Sequence, residues 1–233
     1  MGLDLLHLGA DRLRVGPWRG NDRVAYIAPL PADAPSPEAV RRACATLASR
    51  GYEEVVTAAM GPAEAQNFLV AGFEVRERLH LLAHNLEGMP STNTTAPLRR
   101  AHRRDRPAVL AVDGVAFDQF WRLDESGLDE ALTATPVSRF RVAESDGAVI
   151  GYAVSGRAAR RGFVQRLAVA PGHQRQGLGA ALVIDGLRWM KRRSVERAVV
   201  NTQEHNDTAL ALYEHLGFKR QAGGLAVLHA PLT

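Results

Sequence analysis

Two stretches of this chain carry residues whose types and spacing could act together. The first is Leu167-Ala-Val-Ala-Pro-Gly-His-Gln-Arg-Gln-Gly-Leu-Gly-Ala180. A strand-like run ends at Pro171, a loop passes through Gln174, Arg175, Gln176, Gly177, Leu178 and Gly179, and a helical pattern begins at once. The first N–H groups of a helix have no intrahelical partner, and the helix dipole favours an anion there. Glycine lets such a backbone approach a phosphate closely, and Arg175 can add a charge-assisted bond. Glycine inside a helical turn costs about 1 kcal/mol against alanine, so something should compensate at Gly179, and close approach to a ligand would. The competing reading is a strand–helix turn that merely needs glycine. A dinucleotide-binding turn fits less well, because its third glycine and its acidic residue are missing.

The second stretch is Asn206-Asp-Thr-Ala-Leu-Ala-Leu-Tyr-Glu-His-Leu-Gly-Phe218. Asn206 precedes a helix and can serve as its N-cap. Tyr213 sits at helical spacing, where an aromatic is usually core. Each stretch follows a strand, so the two are expected to meet at the carboxyl ends of neighbouring strands, where open α/β sheets bind ligands.

The elements that must position these residues can be read around them. Leu98–His102 is an edge strand. A helix over Asp105–Phe117 has Asp105 as cap and Pro107 in its first turn, and a second short helix covers Gly127–Thr133. Asp146-Gly147 marks a two-residue hairpin between strands Ser138–Glu144 and Ala148–Ser155. Gly162–Ala170 is the most strand-like run. Leu182, Ile184, Leu187 and Met190 place a helix over Leu178–Arg193. Ala198–Thr202 is a strand, Asp207–Leu216 a helix stopped at Gly217, and Leu225–Leu228 a last strand. The order predicts an α/β sheet of mixed direction flanked by helices.

Together the two motifs resemble the GNAT acetyltransferase superfamily over about Leu98 to Leu228. The resemblance implies that Gln174, Arg175, Gln176, Gly177, Leu178, Gly179 and Ala180 bind the pyrophosphate of acetyl-CoA. It implies that Leu167, Ala168 and Val169 hydrogen-bond the pantetheine, that Asn206 contacts the same arm, and that Tyr213 is the catalytic acid that protonates the leaving thiolate. It also implies direct acetyl transfer to a primary amine, on a protein N-terminus or a small molecule, with no metal. A non-catalytic acyl-CoA-binding regulatory module is the alternative. Enzymes of this family that acetylate ribosomal-protein alanines carry a glutamate base where Asn201 stands here, leaving Glu204, His205 or a water for that role. At pH 7 a lysine amine costs about 4.6 kcal/mol to deprotonate and an α-amine only about 1 kcal/mol, which favours a low-pKa amine. Phe117, Phe120, Trp121, Asp124, Glu125 and Glu130 border the acceptor side in such a fold and could form an acidic, aromatic wall, or simply a solvated helix face.

A linker, Glu87-Gly-Met-Pro-Ser-Thr-Asn-Thr-Thr-Ala-Pro97, separates this region from the N-terminal one. The expected organisation is therefore 1–87, a linker at 88–97, and 98–233 as the acetyl-CoA-binding domain. The N-terminal region contains a degenerate half-repeat. Aligning Thr57 with Thr202 (202 − 57 = 145) places Gly72-Phe73 on Gly217-Phe218, with a helix before the strand and another after it in both copies. At that offset Phe68 stands for Tyr213 and Gly61 for Asn206. The counterpart of the glycine loop, Pro29-Leu-Pro-Ala-Asp-Ala-Pro35, has no glycine and three prolines that supply no N–H. The first region thus resembles a partial GNAT domain that has lost cofactor binding, an arrangement similar to tandem members of the mycothiol-synthase type.

Composition limits the other classes. Of 233 residues, 46% are hydrophobic and 23% charged, which suits a globular chain. No run is apolar enough for a spanning helix, and Met1–Ala10 lacks the features of a secretory signal, so no membrane partner is expected. The single cysteine, Cys44, excludes an internal disulfide framework and points to a buried hydrophobe in a reducing cytoplasm. The net charge of +4, in short arginine clusters, gives nucleic acid only weak support. A homodimer is compatible with the sequence.

Overall fold

Alternation builds the first part of the chain. In Asp11–Trp18 (β2), Arg12 and Arg14 are exposed while Leu13 and Val15 are buried. This strand pairs antiparallel with Asp4–Leu8 (β1) and with Asn21–Pro29 (β3). Arg19 and Gly20, both left-handed, make the β2–β3 turn. Helix α1 (Pro37–Ser49) follows, then β4 (Glu54–Thr57), α2 (Pro62–Val70) and β5 (Glu74–His84). This computed structural model describes residues 3–30, 34–91 and 96–232.

The later elements are β6 (Leu98–Arg100), α3 (Arg106–Ala116), α4 (Glu125–Thr133), β7 (Val137–Ser145), β8 (Ala148–Ala158) and β9 (Arg161–Val169). They continue with α5 (Leu178–Lys191), β10 (Arg197–Gln203), α6 (Asp207–His215), β11 (Lys219–Arg220) and β12 (Leu225–Pro231). Every helix and strand expected from the sequence after Leu98 is present, with ends shifted by a few residues. A mixed α/β sheet flanked by helices is therefore the architecture.

Two units are formed by these residues. One comprises Met1–Leu81, Asn201–His205 and Gln221–Thr233, the other Leu82–Val200 and Asn206–Arg220. The units interleave along the chain, whereas the sequence reading divides it into 1–87 and 98–233. The reason is strand pairing: β12 runs antiparallel to β4 and to β5, so the last strand belongs with the first unit. Of the expected 88–97 linker, residues 92–95 lie outside the described residues, as do Met1, Gly2, Thr233 and residues 31–33 of the proline-rich stretch.

In the first unit the strand order is β1-β2-β3-β4-β12-β5. α1 and α2 pack Val40, Ala43, Leu47, Ala65 and Phe68 onto Leu13, Ile27 and Val55. Cys44 borders this core, and burial pushes its thiol pKa up to about 11. In the second unit the order is β10-β9-β8-β7-β6. Its sheet separates two cores. Val109, Val112 and Leu128 of α3 and α4 meet Val142, Tyr152, Val154 and Ala168. Val183, Ile184 and Leu187 of α5 meet Val164, Val200 and the α6 residues Leu210 and Tyr213.

Candidate active site

The glycine loop lies where β9 gives way to α5. A short 3₁₀ turn, Pro171–His173, bends the chain, and Gln174 Nε2 donates to Val169 O at 3.0 Å, tying the loop to the strand end. Arg175 (φ 64°) and Gly177 (φ 79°) are both left-handed. Such alternation turns successive N–H groups toward one concavity and suits an anion. Gly177 is the N-cap of α5, and no side chain caps the helix. The N–H groups of Leu178, Gly179 and Ala180 precede the first closing bond, from Ala181 N to Gly177 O at 2.9 Å. Arg175, Gln176 and Gly177 are exposed. These features fit a polyphosphate.

The glycines serve different purposes. Gly177 is required by its backbone, since an L side chain is strained at that φ. A Cβ at Gly179 would lie 3.2 Å from Leu212 Cδ2. The close approach at Gly179 is thus to helix α6, where the sequence reading looked for a ligand.

Beside the loop, β9 has an open edge. It pairs in parallel with β10 only at Arg161–Arg197, Gly162–Ala198 and Phe163–Val199, yet continues to Val169. On its other side it stays paired with β8 through Val169. Leu167, Ala168 and Val169 therefore lie on a strand with one side unpaired by β10, the arrangement needed to bond an extended, amide-bearing arm.

Helix α6 brings the second motif into this unit. Asn206 is its N-cap, its side chain accepting from Ala209 N at 3.0 Å. Tyr213 is 5% exposed and stands edge-on to Phe218, with ring centroids 5.6 Å apart. Burial raises the Tyr213 pKa, Arg166 opposes this, and no hydrogen bond contributes. The phenol keeps its proton at neutral pH. Behind the helix, His84 Nε2 lies 3.0 Å from Leu216 O, and His84 Nδ1 accepts from Leu86 N at 2.7 Å. These two bonds fix one neutral tautomer, and burial lowers the imidazole pKa.

Sequence reasoning missed a buried ion pair beneath β9. Arg166 donates Nε to Asp113 Oδ2 at 2.7 Å and Nη2 to Asp113 Oδ1 at 2.9 Å. Asp113 is fully buried, and Tyr152 OH donates to it at 2.5 Å. The available signal was an arginine in the middle of the most strand-like run, which must find a counter-charge if buried.

The expected acidic wall does not stand free. Asp124 accepts from Gly127 N at 2.7 Å as the cap of α4, and Glu125 pairs with Arg106 at 2.8 Å. The ring of Phe117 faces the Arg166 guanidinium at 3.5 Å. Asp105, expected to cap α3, makes no side-chain cap there. It accepts from Arg99 at 2.7 Å and from His102 N at 2.6 Å instead. Asn201, Glu204 and His205 fall in the other unit, where His205 Nδ1 lies 3.5 Å from Glu77 and Glu204 N donates to Arg78 O at 3.0 Å.

The profile of the acetyltransferase (GNAT) family matches residues 100–218, which contain the loop, the open edge and Tyr213. The chain belongs to that family. Members of this family use acetyl-CoA as co-substrate. Among curated relatives, a mycothiol acetyltransferase of Amycolatopsis mediterranei is 31% identical over 180 residues, covering 68% of this chain and 59% of the relative. One from Streptomyces coelicolor is also 31% identical, covering 75% and 60%. The chain thus spans about three fifths of the length of these relatives. In fold it is similar to a tandem GNAT protein from the clavulanic acid biosynthesis pathway, with a TM-score of 0.68 at 14% identity, covering 96% of this chain and 79% of that one. A GCN5-related N-acetyltransferase from Kribbella flavida aligns with a TM-score of 0.62 at 17% identity, covering 99% and 89%. Among the described residues no helix is long and apolar enough to cross a membrane, and no cluster of metal-ligating side chains occurs.

Proposed function

We propose that the second unit transfers an acetyl group from acetyl-CoA to a primary amine of low pKa. The observation that carries this reading is the uncapped start of α5, with its left-handed Arg175 and Gly177, beside the open edge of β9. Residues Gln174 to Ala180 would hold the pyrophosphate, Leu167 to Val169 the pantetheine, and Asn206 would contact the same arm. Acetyl-CoA supplies the acetyl group as an activated thioester. Backbone N–H groups on the free edge of β9 would stabilise negative charge on the reacting carbonyl oxygen. Tyr213 would donate its proton toward the leaving sulfur. Asn201, at the position matching a glutamate base, cannot take a proton, and an α-amine needs only about 1 kcal/mol to deprotonate at pH 7. The single, half-buried thiol suits a cytoplasmic setting. The first unit would have no cofactor role.

The test is calorimetric titration of acetyl-CoA into wild type and into Gly177→Asp. The variant places an L side chain at a left-handed position and a carboxylate among the phosphate donors. Gly179 is left intact because its substitution would disturb Leu212. Wild type should bind, and the variant should lose more than about tenfold in affinity. Absence of binding by folded wild type would overturn the reading. Product mass spectrometry follows, with alaninamide, glucosamine, cadaverine, a free-N-terminus peptide and, after the names of the relatives, a mycothiol-related amine. Binding without product from any of them would favour an acyl-CoA-binding module over an enzyme.

A further inference from the structure

We infer that Arg166 and Asp113 form a clamp that fixes the loop between α3 and α4, Phe117–Leu123, to strand β9. The loop's role beside the amine rests on the acetyltransferase reading above, whereas the clamp rests on geometry alone.

A bulge makes the clamp possible. Val154 pairs with Arg166 and Ser155 with Val164, so Gln165 is the extra residue of β9. Two consecutive polar side chains thereby reach the α3–α4 side of the sheet. Gln165 Nε2 meets Thr135 Oγ1 at 3.3 Å, and Arg166 meets Asp113 of α3. Without the extra residue the two would point to opposite faces, and one would enter the α5 core.

Three positions of the loop end on this pair. Arg166 Nη2 donates to Trp121 O at 2.7 Å, Leu123 N donates to Asp113 Oδ1 at 2.7 Å, and the Phe117 ring lies under the guanidinium. With Tyr152 OH and both Arg166 bonds, the Asp113 carboxylate accepts four donors. Stability alone gives little reason for such a pair. Its side chains are 11% and 0% exposed, and replacing a buried ion pair by apolar residues of similar volume is often neutral or stabilising. A directional pair does what apolar side chains cannot: it dictates where a backbone carbonyl and a backbone N–H of the loop must sit. The strand so engaged is the one whose next residues, Leu167 to Val169, lie on the edge left open by β10.

Hydrogen exchange tests this in the full chain. Asp113→Leu/Arg166→Met removes both charges and keeps the volume. Exchange at Leu123 and its loop neighbours should quicken by more than about tenfold, with acetyl-CoA affinity within about twofold of wild type and a cooperative melt retained. For the best amine of the panel, KM should rise more than kcat falls. Arg166→Lys keeps a charge for Asp113 but loses the fork to Trp121 and Phe117, and should free the loop in a chain that still folds. Tyr152→Phe removes a bond to Asp113 that does not involve the loop, and should leave loop exchange unchanged. Unaltered loop exchange in the first two variants overturns the clamp, as does a uniform increase across the unit. Failure of wild type to bind acetyl-CoA would overturn the proposed function and leave the exchange result to decide the clamp.

Discussion

The helix–strand–helix segment α1-β4-α2 and its later counterpart α5-β10-α6 end in the same way and begin differently. At their ends, Phe73 N donates to Phe68 O at 3.1 Å and Phe218 N to Tyr213 O at 3.0 Å. Gly72 and Gly217 are left-handed, at φ 105° and 92°. The paired rings stand edge-on in both, with centroids 5.3 Å and 5.6 Å apart. At the beginnings the copies part. Helix α1 is closed by its own sequence, since Ser36 Oγ accepts from Ala39 N and Pro37 has no N–H to offer. Helix α5 is left open behind Gly177. Helix α2 starts at Gly61, which has no side chain to extend, whereas α6 starts at Asn206. Stop signals that hold a helix in place survive in both copies, and groups that could face a ligand survive in one. Packing constrains the ends and chemistry constrains the beginnings.

That contrast can be broken deliberately. Tyr213→Phe makes the second copy like the first and should lower turnover on the order of 10²-fold, with acetyl-CoA affinity nearly unchanged by calorimetry. Unaltered turnover would remove Tyr213 from the mechanism. The reverse change, Phe68→Tyr, should confer no binding and should cost about 1–3 kcal/mol in urea unfolding, because the new hydroxyl enters a fully buried site. Asn206→Ala should cost about 1 kcal/mol as a lost cap and should also weaken acetyl-CoA binding. Ser36→Ala should cost about the same stability and leave binding untouched. Equal effects of the two on binding would erase the distinction between the copies.

The smallest effect concerns pH. Burial holds His84 below its ordinary pKa of about 6.5. Protonation would also set an N–H at Nδ1 against the N–H of Leu86. Its contribution is complete above that value and declines as the pH falls below it, because the unfolded chain takes up a proton that the folded one resists. Urea midpoints at pH 8 and pH 5.5 should show the loss, and His84→Gln should reduce it.

How much was legible follows from the range of each signal. Helices α5 and α6, the Asp146-Gly147 hairpin and the Gly217 stop were readable because their cues are local. The β1–β3 meander went unread, since Gly16 and Pro17 look like loop residues. Pro17 is tolerated because it sits at a register shift between β2 and β3. The long strand β5 and the placement of β12 beside it depend on partners far away in sequence. At the site, the loop residues were legible as a motif. The reason for Gly179 was not, because it lies on another helix. Arg166 and Asp113, 53 residues apart, could not be joined without knowing that the strand between Val164 and Arg166 bulges.

The placement of β12 bears on biosynthesis. In the first unit this strand fills the gap between β4 and β5. On the ribosome those two strands emerge long before it, with facing rows of unpaired N–H and C=O groups that invite mispairing. The first unit, although most of its residues are made early, therefore cannot complete its sheet until β12 has emerged.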